Sequence, residues 1–156
     1  VEGRTVSGPF AAILSELAGE ELELLHVEPG VAAPGQVTVL GDGSVRRVAE
    51  AVGLATLDAV RFRMTIELSG LEPHEEDGWE GRLATVGSAV LRVGGQVPRC
   101  VLVTRDPTTR VRDLDVLRAI LEYREPMETG EAPFGVYATV IGAGRVSVGD
   151  AVTLVD

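Results

Sequence analysis

Val86-Gly-Ser-Ala-Val-Leu-Arg-Val93, followed by Gly94-Gly95-Gln96 and then by Val97-Pro-Arg-Cys-Val-Leu-Val103, is the stretch that decides the fold class of this chain. Its first eight residues read as one long strand or a strand pair, rich in β-branched residues, and Gly94-Gly95 breaks or bulges it. The continuation to Val103 carries the single cysteine, Cys100, directly after a proline and an arginine. Beyond it Arg105-Asp-Pro-Thr-Thr is a turn, and Asp113 is placed to cap a helix containing Leu114, Leu117, Ile120 and Leu121. Phe134 to Ile141 and Val146 to Val155 then read as strands around glycine turns.

Working back towards the N-terminus, Thr65 to Ser69 alternates polar and apolar residues, as a half-buried strand does. Leu71-Glu-Pro-His-Glu-Glu-Asp-Gly-Trp79 reads as an acidic loop ending in the only tryptophan. Val37 to Leu40 is a strand, and Gly41-Asp42-Gly43 turns it into a helix with Ser44 as N-cap, where Val45, Val48, Ala49 and Val52 repeat at helical spacing until Gly53. Before these come a strand over Leu22 to Val27, closed by Pro29-Gly30, and a loop rich in Ala, Pro and Gly. The chain opens with a short helix in which Phe10, Ile13, Leu14 and Leu17 fall at i, i+3, i+4 and i+7, with Gly19 as stop signal. Strands dominate and helices are few and separated, which predicts a mainly β protein: a β-barrel with flanking helices rather than a doubly wound sheet. No internal repeat, low-complexity tract or linker interrupts the 156 residues, so one compact domain is expected.

Composition removes several classes of function. Fourteen basic residues against 24 acidic ones give a net charge of -10, which repels phosphate backbones; nucleic acid and anionic membrane are not expected partners. Every basic residue is arginine. A chain without lysine forms no pyridoxal-phosphate Schiff base and contains no GK[ST] phosphate loop. The absence of lysine and the lean towards Arg, Ala, Gly and Val suggest a high-GC bacterial source. One cysteine excludes an intrachain disulfide, and no signal peptide or membrane-spanning run is visible, so a cytoplasmic location is predicted.

Three features carry candidate chemistry. Gly41-Asp-Gly-Ser-Val-Arg46 opens a helix, where free N–H groups can hold an anion, but Arg46 stands where a dinucleotide fingerprint needs glycine; as a plain capped turn it needs no ligand. His26 and His74 lack metal-ligand spacing, and His74 with Glu75-Glu76-Asp77 reads as a solvated loop. Cys100 is either a small buried hydrophobe or a functional thiol. Arg99 and Arg105 beside it would favour the thiolate, the form that binds a soft metal or carries sulfur; without a nearby histidine base, protease-like use is weak.

From Arg61 onward the chain resembles the MOSC domain, named after the C-terminal domain of molybdenum cofactor sulfurase and shared with the mitochondrial amidoxime-reducing component. Arg61-Phe-Arg-Met-Thr65 resembles the family's RFRPN segment, and Leu71 to Trp79 its LEPFEEDSW loop. Pro98-Arg-Cys-Val-Leu-Val-Thr-Arg-Asp-Pro107 resembles the C-x-R-C-x-x-T-T-x-D-P block, with Cys100 on the key cysteine. Pro133-Phe-Gly-Val-Tyr137 and Val148-Gly-Asp150 match the closing motifs, in the family's order.

The resemblance implies a mixed, closed β-barrel with a few flanking helices, similar to the pyruvate-kinase barrel, formed by residues 1–156 as a single domain with 1–36 as a lead-in helix and strand. It implies that Cys100 is the catalytic residue and metal ligand, bonded to molybdenum beside the dithiolene of the pterin cofactor, or else carries a persulfide. It implies cofactor contacts from Arg63, Thr65, Ser44, Arg99, Thr104 and Asp106, with Phe134 and Tyr137 lining the pocket or packing in the core, and Asp77 and Trp79 in a loop over the metal face. The implied activity is that of an oxidoreductase component reducing N-hydroxylated or related substrates, with a small-molecule substrate and a separate electron donor as partners; a sulfur-carrier or cofactor-handling module and a non-catalytic barrel are the alternatives. The chain departs from the pattern at Thr65, where the family has asparagine, at Met64, where it has proline, and in Gly41-Asp-Gly-Ser44, where it has Ser-Glu-Ala-Ser. The N-terminal β-barrel subdomain of two-part members, which supplies basic contacts to the cofactor phosphate, has no counterpart in residues 1–156.

Overall fold

A computed structural model of the chain describes residues 3–26 and 37–155. It resolves into two compact units, Val1–Pro34 and Gly35–Asp156. In the first, β1 (Arg4–Thr5) pairs antiparallel with β2 (Leu25–His26), and α1 (Phe10–Ala18) lies between them in sequence. Gly19 ends α1 in the left-handed region, φ 73°, as its stop signal predicted. The predicted strand from Leu22 shortens to two residues, and the Pro29-Gly30 turn and the Ala/Pro/Gly loop lie outside the described residues.

The second unit is built on one six-stranded sheet: β3 (Val37–Gly41), β4 (Ile66–Leu68), β5 (Leu83–Val86), β6 (Ala89–Arg99), β7 (Ala132–Gly142) and β8 (Val152–Val155). The spatial order is β4-β3-β7-β6-β5-β8, with β3 and β4 parallel and every other pair antiparallel. Val86 to Val103 therefore divides into the end of β5, a tight turn at Gly87-Ser88, the whole of β6 and a 3₁₀ turn over Val101–Thr104. The predicted bulge is present: Val93 pairs with Ala138 and Gln96 with Val136, so β6 inserts one extra residue across Gly94-Gly95.

The sheet is mainly β and curled, but it is not a closed barrel, which corrects the expected fold. The last strand is shorter than predicted, because Val146 to Asp150 forms a turn in which Ser147 N–H donates to Asp150 Oδ2 at 2.8 Å. The edge strands β4 and β8 do not pair; Thr65–Ser69 and Val146–Leu154 instead face each other across a cavity of about 1050 Å³. Alternation along β3 buries both faces, Val39 inside the curl with Trp79, Leu91 and Val136, and Leu40 on the opposite side with Phe62, Val116 and Phe134. That second side is covered by α2 (Asp42–Ala51) and α3 (Val116–Leu121). Among the described residues, no helix is long and apolar enough to cross a membrane.

Candidate functional site

Two of the predicted caps do other work. Gly41, not Ser44, is the N-cap of α2, and Ser44 lies in the first turn, fully buried. Its hydroxyl donates to Glu76 Oε1 at 2.7 Å and accepts from His74 N–H at 2.9 Å, so it is engaged inside the protein. The loop at Leu71 also covers this helix end: Leu71 N–H donates to Asp42 Oδ1, and a Cβ on Gly43 would stand 2.3 Å from the Leu71 carbonyl oxygen. The glycine is required by that close approach, and the anion-binding reading of the turn loses its open face. Asp113 likewise does not cap α3, whose N-cap is Asp115; it binds Arg61 instead.

Around Cys100 the chain crowds several of the predicted residues into one region. Cys100 is exposed, and its carbonyl accepts from Val103 N–H at 3.2 Å at the start of the 3₁₀ turn. Thr104, buried at the end of that turn, donates its hydroxyl to Val101 O at 2.6 Å, and Asp106 accepts from Thr108 and Thr109 N–H in the following turn. Both side chains hold the backbone of the segment after the cysteine. Arg99 reaches across to the Ala59–Phe62 3₁₀ turn and the residues after it, donating to Phe62 O and, at 3.3 Å, to Met64 Sδ. Burial lowers the Arg99 pKa, with Cys100, its neighbour in sequence, and Tyr137 acting in the opposite sense. Met64 fits there because Gly135, at φ 75°, has no Cβ; one would stand 2.5 Å from Met64 Cε. The Pro133–Tyr137 motif thus seats Arg99, while Phe134 is fully buried against Phe62 at 4.4 Å between ring centroids.

Arg61 and Arg63 part company. Arg61 is buried and forms a fork on Asp113, at 2.9 and 2.7 Å, with a third bond to Val103 O at 3.1 Å. Arg63 is exposed and ends its 3₁₀ turn in the left-handed region at φ 52°, a conformation that costs an ordinary side chain about 1 kcal/mol or more. Thr65 stands just before β4, where its hydroxyl accepts from Thr38 N–H at 3.2 Å and its N–H donates to Thr38 Oγ1 at 3.0 Å; it lines the large cavity, whereas Cys100, Arg99 and Arg63 do not. The cavity and the thiol are separate features, and the chemistry of the donor atoms favours the thiol region as the site.

The acidic loop is not solvated as its composition suggests. Glu76 is fully buried and Asp77 and His74 are largely so, because the loop folds into a 3₁₀ turn, Glu75–Trp79, that packs on β6 and β7. Arg124 binds both Asp77 Oδ2 and His74 Nδ1, and Gln96 donates to the same Asp77 oxygen at 3.0 Å. Guanidinium only donates, so Nδ1 must accept and the imidazole is neutral with its proton on Nε2. Burial first, then Arg124 and Arg47, holds the His74 pKa down to about 4, with Asp77 acting in the opposite sense.

The unfolded histidine titrates near 6.5 and the folded one near 4, so the unfolded chain binds the extra proton in between and stability falls as pH drops through that window. Glu76 opposes it: burial raises its pKa above 4.5, so acidification relieves a buried charge. Asp42, Asp106 and Asp113 have lowered pKa values and weaken the fold only below about 3.8. His74→Asn keeps an acceptor and tolerates the residue's φ of 63°. Thermal melts from pH 7 to 4 are expected to show a shallower loss of stability for this variant than for the parent chain.

Sequence reasoning missed Arg61, Glu76 and Arg124 as structural ions. The RFR segment offers two arginines two residues apart, and nothing in the sequence says which is buried: the first is, and the second, in the left-handed region, is exposed.

As a donor set, the region suits a soft metal with an anionic organic ligand. An exposed sulfur is available, Arg63 is an exposed cation without a side-chain hydrogen bond among the described residues, and the buried Arg99 Nε has no partner. No cluster of three or more His, Cys, Asp or Glu capable of holding a bare metal ion occurs among the described residues, so protein ligation would rest on the cysteine.

The MOSC domain model matches residues 30–153. The chain is 30% identical over 181 aligned positions to human mitochondrial amidoxime-reducing component 1, covering 99% of this chain and 53% of that protein. It is 35% identical over 77 positions to molybdenum cofactor sulfurase of Danio rerio, covering 49% of this chain and 8% of that one. The chain thus spans about half, or less, of the length of these curated relatives. Among solved structures, YiiM from Geobacillus stearothermophilus shares the fold at a TM-score of 0.55 and 21% identity, over 78% of this chain and 55% of that one. The YuaD protein of Bacillus subtilis does so at 0.53 and 16%, over 97% and 75%. The motifs from Arg61 to Asp150, the mixed curled sheet and the exposed cysteine turn converge on one family, and the chain belongs to the MOSC domain family.

Proposed function

We propose that the chain binds a molybdenum–pterin cofactor with Cys100 as the metal ligand and acts as an oxidoreductase component that reduces N-hydroxylated or related substrates. The observation that carries this reading is the single exposed thiol at the head of a hydrogen-bonded turn, with Arg99 next to it in sequence. When bound, the cofactor would supply the redox chemistry. This chain's residues would supply a sulfur donor from Cys100, a cation from Arg63 towards the anionic pterin, and a rigid frame from Arg99 and Thr104. A separate electron donor and a small-molecule substrate complete the scheme. A second reading, a persulfide on Cys100 in a sulfur-handling module, draws on the same exposed thiol and on the likeness to a sulfurase.

The test is the molybdenum and oxidised-pterin content of the chain purified from a host that makes the cofactor, followed by reduction of an amidoxime with an artificial donor. Near-stoichiometric metal and pterin with turnover are expected. No metal, with cyanide-labile sulfur on Cys100, would replace this reading by the second.

Arg63→Gly separates ligand binding from folding. Glycine accepts the left-handed backbone, so stability is expected to hold or to rise by up to about 1 kcal/mol, while molybdenum retention through gel filtration falls.

A further inference from the structure

We propose that Arg61 and Asp113 are positioning residues that clamp the turn following Cys100 and so fix where its thiol stands. This rests on the reading of Cys100 as the working thiolate, and it concerns residues that touch neither metal nor substrate.

The geometry is a closed loop of bonds. Cys100 opens the 3₁₀ turn Val101–Thr104, and inside that turn Val103 N–H returns to Cys100 O while the Thr104 hydroxyl returns to Val101 O. Two outside groups hold the far end. Arg61 donates to Val103 O at 3.1 Å, and Asp113 N–H donates to Thr104 O at 3.1 Å. The same two residues are then locked to each other by the guanidinium–carboxylate fork at 2.9 and 2.7 Å. The Arg61 side chain is 3% exposed and that of Asp113 34%, so the guanidinium is committed to the interior and has no alternative partner in solvent. The fork is the leading cause of the lowered Asp113 pKa, so the carboxylate stays charged at neutral pH.

A buried arginine can serve stability alone. The difference here is that its third bond lands on the carbonyl three residues after the cysteine. Loss of the fork would free the turn while the sheet that carries Arg99 stays in place.

The test is the rate at which iodoacetamide alkylates Cys100 in the full, metal-free chain, read by intact mass. Asp113→Asn weakens the fork, Asp113→Glu restores the charge, and Leu91→Ala destabilises the other core cluster without touching the turn. Asp113→Asn is expected to change the alkylation rate by about threefold or more, Asp113→Glu to bring it back towards that of the parent, and Leu91→Ala to leave it unchanged. An unchanged rate in Asp113→Asn, an equal change in Leu91→Ala, or no return in Asp113→Glu would overturn the proposal. The readout uses no cofactor, so failure of the molybdenum reading would leave this result distinguishable from it.

Discussion

Cys100→Ala is expected to purify as a folded protein from which molybdenum and pterin are gone. The side chain is exposed and outside both core clusters, and the turn that follows it is held by backbone groups and by Thr104, Arg61 and Asp113. Removing one sulfur therefore takes away no packing, and surface changes of this kind stay within about 0.5 kcal/mol of the parent. On the proposed reading, metal retention would rest on one protein bond to a soft ion, with no cluster of acidic or histidine ligands among the described residues to replace it. Metal analysis by mass spectrometry and melting curves on the same preparations check both halves of the statement. Retained molybdenum would mean that the cofactor is held elsewhere on the chain.

Phe134→Ala is expected to have the largest effect on stability. The ring is fully buried, packs on Phe62 at 4.4 Å and lies 5.8 Å from the His74 ring, so one side chain ties the strand of the Pro133–Tyr137 motif to the Arg61–Arg63 segment and to the buried acidic loop. Truncation leaves a cavity and costs about 3–5 kcal/mol. For a domain of this size the unfolding midpoint drops by about 10–25 °C. Phe134→Leu keeps most of the volume and is expected to cost about 1–2 kcal/mol. Denaturant or thermal melts distinguish this from a role in lining a ligand pocket, in which case both variants would melt near the parent and differ only in cofactor content.

Much of the fold is legible in the sequence for a simple reason. The alternation in Val86 to Val103, the glycine turns and the helical spacing behind Gly43 are local patterns, and local patterns survive into the structure. The closed barrel does not follow from them. Whether β4 meets β8 depends on edge geometry, and a turn held by Ser147 and Asp150 shortens the last strand before it can reach. Capping misled twice, at Ser44 and Asp113, because a polar residue before an apolar run signals a cap equally well when a distant partner claims it: Glu76 in one case and Arg61 in the other. The acidic loop misled for the complementary reason. Glu76 and Asp77 are paired by Ser44, Gln96 and Arg124, which lie between 19 and 47 residues away in sequence, and composition has no access to such pairings.

The most direct test of the account is alkylation of Cys100 in protein loaded with molybdenum, compared with the same protein after the metal has been removed. Bonding to the metal draws electron density from the sulfur and shields it, which makes it a poorer nucleophile than the free thiolate, so the loaded chain is predicted to be labelled far more slowly by intact mass than the metal-free chain, which takes up one label. Equal labelling of the two, with the molybdenum still bound, would contradict Cys100 as the ligand.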